Sequence, residues 1–177
     1  DMASSIGRYY DQLHLLNCKK ECGIEVSEKE HIKAIWLALH TSYALEAIRF
    51  LTSFCVGFGL VESKIFVGNG NILSLIAQDE LLHTEWTAYI INRIIKDDPR
   101  FAAIAEECAE EVEQIYADVI AEEKSWADYI FSKGVFVGLN AEVLKTFVDY
   151  MATVRLKEIK IKHSNPVKTN PLPWYNK

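Results

Sequence analysis

Apolar positions recur at helical spacing along almost the whole chain. From Ser27 a stripe passes through Trp36, Leu39, Tyr43, Glu46, Phe50 and Phe54 in steps of three and four residues, the period of one helix face. A second stripe follows Asn71 through Ile72, Ile76, Glu80, His83, Thr87, Ile90 and Ile94. No two-residue hairpin signal lies between alternating segments, so strands are not expected. The pattern predicts helices over about 4–16, 27–58, 71–96, 99–132 and 141–162, then a tail over 163–177 containing Pro166, Pro171 and Pro173.

Local signals supply the boundaries. Ser27 with Glu30 forms a capping box, Asp98 caps with Pro99 in the first helical position, and Asn140 caps the last helix. Gly57 and Gly59 are expected to stop or distort the second helix, Gly68-Asn69-Gly70 to form a turn, and Gly134 to end the fourth. The expected fold is an all-α bundle in a single domain.

Composition narrows the function. The 177 residues carry 19 Lys+Arg against 25 Asp+Glu, a net charge of −6. An acidic chain without a basic block is not expected to bind nucleic acid, which requires clustered cations. Half of the residues are hydrophobic, enough for a packed core rather than a disordered segment. No run reaches the ~18 apolar residues of a membrane span, and the start Asp1-Met2-Ala3-Ser4-Ser5 is no signal peptide. Cys18, Cys22, Cys55 and Cys108 form no spaced framework, so free thiols in a reducing cytoplasm are expected. Asp1 is an odd first residue and suggests a piece of something longer.

The informative feature is charge in the seams. Glu46 occupies a core-facing position of one stripe, and Glu80 and His83 occupy two of the other. Leucine would be the stabilising choice there, because a buried carboxylate without a partner costs several kcal/mol or must take up a proton. Converging carboxylates repel unless a cation lies between them. A Glu-x-x-His pair puts an oxygen and an imidazole nitrogen one turn apart on one face. Oxygen donors with a single imidazole suit iron or manganese, with zinc favouring thiolates or several histidines. The alternative is carboxylates paired with Lys or Arg and an ordinary hydrogen-bonded histidine. Depth along the bundle adds a requirement: Glu46 and Glu80 lie at one level, about 18 Å from their helix ends, if the helix breaks near Gly57–Gly59 and the next begins after Gly68.

Ala44-Leu45-Glu46-Ala47-Ile48-Arg49-Phe50, with Ile76-Ala77-Gln78-Asp79-Glu80-Leu81-Leu82-His83, resembles the radical-bearing small subunit of class I ribonucleotide reductase. The similarity continues through Glu123-Lys124-Ser125-Trp126-Ala127-Asp128-Tyr129, Gly138-Leu139-Asn140 and Asn170-Pro171-Leu172-Pro173-Trp174. The resemblance covers only the second half of the family's ferritin-like bundle. It implies a carboxylate-bridged di-iron centre, with manganese as the alternative metal, at which O2 oxidises a nearby tyrosine to a stable radical for deoxyribonucleotide synthesis. By motif, Glu46 and His83 are terminal ligands of one iron and Glu80 bridges both. Asp79 matches a carboxylate on the radical-transfer route, and Phe50, Phe54 and Ile76 match the apolar pocket around the radical and oxygen site.

The departures are equally specific. The other ligands and the radical tyrosine belong to the earlier half, and the tail that docks on the large subunit would follow Lys177. The implied partners are therefore an N-terminal half, the large nucleotide-binding subunit and a second copy in a homodimer. Alternatives are another ferritin-like oxidase, desaturase or iron-storage protein, or a non-catalytic helical interaction module. Among weaker signals, His14 with Cys18 and Cys22 lacks a fourth zinc ligand. Glu106, Glu107, Glu110, Glu111 and Glu113 read as a solvated helix face, and Trp126 and Tyr129 as core or packing residues.

Overall fold

A computed structural model describes residues 2–135 and 138–176. Asp1, Lys177 and the side chain of Ile6 lie outside the described residues. Among the described residues, seven α-helices make up most of the structure: α1 (Met2–Glu21), α2 (Glu28–Ala44), α3 (Leu51–Glu62), α4 (Val67–Asp97), α5 (Pro99–Glu107), α6 (Ala109–Ile130) and α7 (Ala141–Glu158). A π-helical turn, Leu45–Arg49, joins α2 to α3. The resulting rod is the centre of the bundle, packed against α4, α6 and α7. Its 35 residues, Glu28–Glu62, are long and apolar enough to cross a membrane by length and composition alone. It carries Glu46 and Arg49 midway, and its fully buried Tyr43, Ala44, Ile48 and Cys55 belong to the bundle's core.

The three expected caps are present. Ser27 accepts the Glu30 N–H, Asp98 the Arg100 N–H and Asn140 the Val143 N–H, satisfying first-turn donors that have no partner within the helix. The helix ends differ from expectation. α1 continues to Glu21 and closes in a Schellman motif, with the Gly23 N–H on Lys20 O and the Ile24 N–H on Lys19 O. The same pair of bonds closes α3 at Lys64 and Ile65 and closes α7 at Lys160 and Ile161. Lys64 (φ 59°) and Lys160 (φ 64°) take the left-handed residue usually given to glycine. The last helix therefore stops at Glu158 rather than 162. The expected single helix over 99–132 is divided at Cys108 into α5 and α6, then ends in a 3-10 turn, Phe131–Lys133.

Gly57 and Gly59 do not break the rod, and Gly68-Asn69-Gly70 is not the turn. The chain reverses at residues 63–66, and α4 already includes both glycines. Here glycine serves close approach between helices. A Cβ on Gly57 would lie 2.5 Å from Leu73 Cδ1, and one on Gly70 would overlap the branched side chain of Val61. α3 and α4 can pack this closely because those Cβ atoms are missing. The rod ends later than expected and α4 begins earlier, so Glu46 and Glu80 still lie at similar depth, about 24 and 20 Å from the turn.

α4 has two apolar faces. Gly70, Thr84, Ala88 and Ile91 are buried on the side towards the rod. The stripe read as its seam borders the open side instead: Ile72, Ile76, His83 and Ile90 are exposed, alongside Leu75, Leu82, Trp86 and Tyr89, whereas Glu80, Thr87 and Ile94 are half-buried.

Candidate metal centre

The π-turn and α4 bring the three expected residues together. One donor atom each from Glu46, Glu80 and His83 lies within 4.8 Å of the others. His83 Nδ1 is 3.8 Å from Glu46 Oε1 and 3.8 Å from Glu80 Oε2. Glu46 projects from the widened turn, a feature often found at functional sites. Glu80 and His83 stand one helical turn apart on α4. The two carboxylates are about one-fifth exposed, whereas His83 is 53% exposed and borders the open face of α4.

Among the described residues, neither carboxylate pairs with Lys or Arg; their charged neighbours are each other and His83. Burial raises the Glu46 carboxyl above its ordinary range; His83 opposes the shift, Glu80 adds to it, and the Thr87 hydroxyl opposes it. That hydroxyl donates to Glu46 Oε2 at 3.4 Å. Two partly buried, mutually repelling carboxylates beside an imidazole fit a hard divalent cation. The donor set, a Glu from one helix and Glu-x-x-His from the next, is half of that used by ferritin-like di-iron carboxylate proteins.

A cleft of about 520 Å³ adjoins the donors, lined by Phe50, Phe54 and Phe58 with Glu46, Glu80 and Tyr175. Phe54 is buried between Phe50 and Phe58, with ring centroids 6.0 and 6.2 Å away. Ile76, expected in the same pocket, does not line it and is 43% exposed. Asp79 is exposed on α4 and does not join the donor group.

The weaker signals also resolve. His14 Nε2 lies 3.6 Å from Cys18 Sγ, and Cys22 does not join them. All four cysteines are free, Cys55 and Cys108 in the core. The acidic run is a surface face, with Glu107 and Glu111 paired to Lys29 and Lys33. Tyr129 is not a core residue: it is 69% exposed and stacks on Trp126 at 5.3 Å.

One buried acid escaped the stripe reading. Glu123 has no exposed surface. The run Val112, Tyr116, Val119, Glu123, Ala127 advances by four, three, four and four residues. Following α6 as the other helices were followed would have singled it out.

Comparison with known proteins shows the family to which this chain is similar. The family described as "Ribonucleotide reductase, small chain" matches residues 6–171. Ribonucleoside-diphosphate reductase 1 subunit beta of Escherichia coli O157:H7 is 36% identical over 190 residues, covering 98% of this chain and 50% of that protein. The subunit beta of Enterobacteria phage T4 is 34% identical over 197 residues, covering 97% and 50%. Among solved structures, a ribonucleotide reductase R2 subunit from Clostridium botulinum has a TM-score of 0.72 at 25% identity, covering 78% of this chain and 43% of that one. A putative class I ribonucleotide reductase from Bacillus halodurans gives 0.71 at 23%, covering 81% and 45%. The chain spans about half the length of the relatives it matches.

Proposed function

The chain belongs to the family of ribonucleotide reductase small chains, and from that membership we propose that it supplies half of a dinuclear metal site in an enzyme making deoxyribonucleotides. Glu46 and His83 would hold one metal, and Glu80 would be a ligand shared with the second. When bound, an iron pair, with manganese as the alternative, would supply the O2-dependent oxidation of a tyrosine to a stored radical. The remaining ligands and the radical tyrosine come from an N-terminal half. Ribose reduction takes place on a large, nucleotide-binding subunit, in a cytoplasmic assembly containing two small subunits.

The carrying observation is the convergence of Glu46, Glu80 and His83 with no neutralising Lys or Arg among the described residues. The residues of this chain bind and orient. The π-turn aims Glu46 at α4, Thr87 donates to its Oε2, and Phe50 and Phe54 give the adjoining cleft an apolar wall. The open apolar face of α4 supports the missing-half reading. A helix that is apolar on two sides is stable when both are covered, and His83 and Asp79 lie on that open side. Asp79 is there assigned to the radical-transfer route, and Ile76 to the pocket wall completed by the incoming half.

The test is reconstitution with Fe(II) and O2, read by iron content and EPR. The 177-residue chain alone should give no tyrosyl radical. Mixed with an N-terminal half, it should bind two irons per pair and give the radical signal. A full radical from the isolated chain would overturn the division of ligands.

A further inference from the structure

We infer that Glu123 is a positioning residue for the metal site: its buried carboxyl accepts the Thr52 N–H and thereby fixes the π-helical turn that carries Glu46. The inference rests on the reading of Glu46 as a ligand.

The turn ends one residue before α3, and the N-cap position of α3 is Phe50, which offers no side-chain acceptor. First-turn N–H groups of a helix need an acceptor from outside. α6 provides it. Glu123 Oε1 accepts the Thr52 N–H at 2.6 Å, and the Thr52 hydroxyl donates back to the Glu123 carbonyl at 3.4 Å. The neighbouring Glu122 accepts from Arg49 Nη1 at 2.7 Å, and Arg49 is the last residue of the turn. Two consecutive acids on α6 thus hold the exit of the turn, one at Arg49 and one at Thr52.

The burial of Glu123 needs such an explanation. An apolar residue at this stripe position would avoid the desolvation cost. Its Oε2 is buried with no hydrogen-bond partner among the described residues. Burial raises its pKa to about 7, against the lowering effect of the Thr52 bonds and of Arg49, so the site bears an acid that is neutral or charged at little difference in energy. What this carboxyl contributes that leucine would not is an acceptor for one backbone donor, next to the turn on which Glu46 stands. An α-helical register in place of the π-turn would rotate Glu46 by about 100° relative to α3, away from Glu80 and His83.

The test uses the 177-residue chain with Co(II) as probe, read by visible absorption, together with amide hydrogen exchange at Thr52 and thermal unfolding. Glu123→Gln retains a carbonyl oxygen in the same place, whereas Glu123→Met keeps the volume and removes the acceptor. The glutamine variant should bind Co(II) within threefold of the parent and keep Thr52 protected. The methionine variant should bind at least tenfold more weakly, with Thr52 exchanging about 100-fold faster, at a Tm no lower than that of the glutamine variant. Parent-like Co(II) affinity and slow Thr52 exchange in Glu123→Met would overturn the inference, as would equal loss in Glu123→Gln. Should Glu123→Met fail to fold, Glu123→Asp keeps the charge and draws the acceptor back by one methylene from the Thr52 N–H. Weaker Co(II) binding there supports the inference, and unchanged binding refutes it. Co(II) binding that survives Glu46→Ala would instead refute the metal reading, and Thr52 exchange would still test the clip.

Discussion

Glu46 Oε1 and His83 Nδ1 stand 3.8 Å apart on separate helices, and Glu80 is the neighbour they share. Without a cation, Glu80 contributes repulsion that raises the Glu46 carboxyl. Glu80→Ala should therefore leave the metal-free chain as stable as the parent or more stable, by up to about 1 kcal/mol. The same variant should lose the rise in Tm that Mn(II) gives the parent. Thermal scans with and without Mn(II) check both halves, and a retained Mn(II)-dependent rise would count against Glu80 as a ligand.

The stability of the chain should vary with pH through Glu123. Its carboxyl titrates near 7 in the folded chain and near 4.5 when unfolded, so between those values the folded state binds more protons. Stability then falls as pH rises through that window, by about 3 kcal/mol in all. Glu123→Gln removes this contribution. Urea titrations from pH 4.5 to 8 should show the glutamine variant gaining on the parent as pH rises; parallel curves would contradict it.

His40 should give a slope of opposite sign. It is buried, with Nδ1 2.8 Å from the Tyr116 hydroxyl and Nε2 without a partner among the described residues, and burial lowers its pKa to about 3. The folded chain keeps it neutral where the unfolded chain protonates it. Its contribution is full above pH 6.5 and is lost as pH falls towards 3. Its imidazole NMR signals should stay constant from pH 8 to 4.5; titration near 6.5 would refute the burial argument.

The two glycines at the α3–α4 contact should differ. An added Cβ on Gly57 meets the flexible end of Leu73, whereas one on Gly70 meets three atoms of the stiff Val61 side chain. Gly57→Ala should be within about 0.5 kcal/mol of neutral, since helix propensity offsets the contact. Gly70→Ala should destabilise by about 1–2 kcal/mol. Chemical denaturation separates them, and equal effects would mean that close approach at Gly70 is unimportant.

Much of the architecture was legible in the sequence because its signals are local. The caps at Ser27, Asp98 and Asn140 and the stripe through Glu46 need only neighbours along the chain. The helix ends at Lys64 and Lys160 were not legible, because lysine there adopts the conformation that glycine normally announces. Gly57 and Gly70 were misread for the converse reason: their role depends on Leu73 and Val61 across a helix contact. The donor triad was legible because charge in an apolar stripe is conspicuous, and Glu123 would have been by the same rule. The rotation of α4, which leaves Ile76 and Asp79 exposed, was hidden because both of its faces are apolar.

The shared cation is tested most directly by anomalous diffraction from crystals of the chain soaked in Mn(II). The account predicts a peak bounded by Glu46, Glu80 and His83, with donor atoms about 2–2.4 Å away. Mn(II) bound only elsewhere, with these three side chains turned apart, would contradict it.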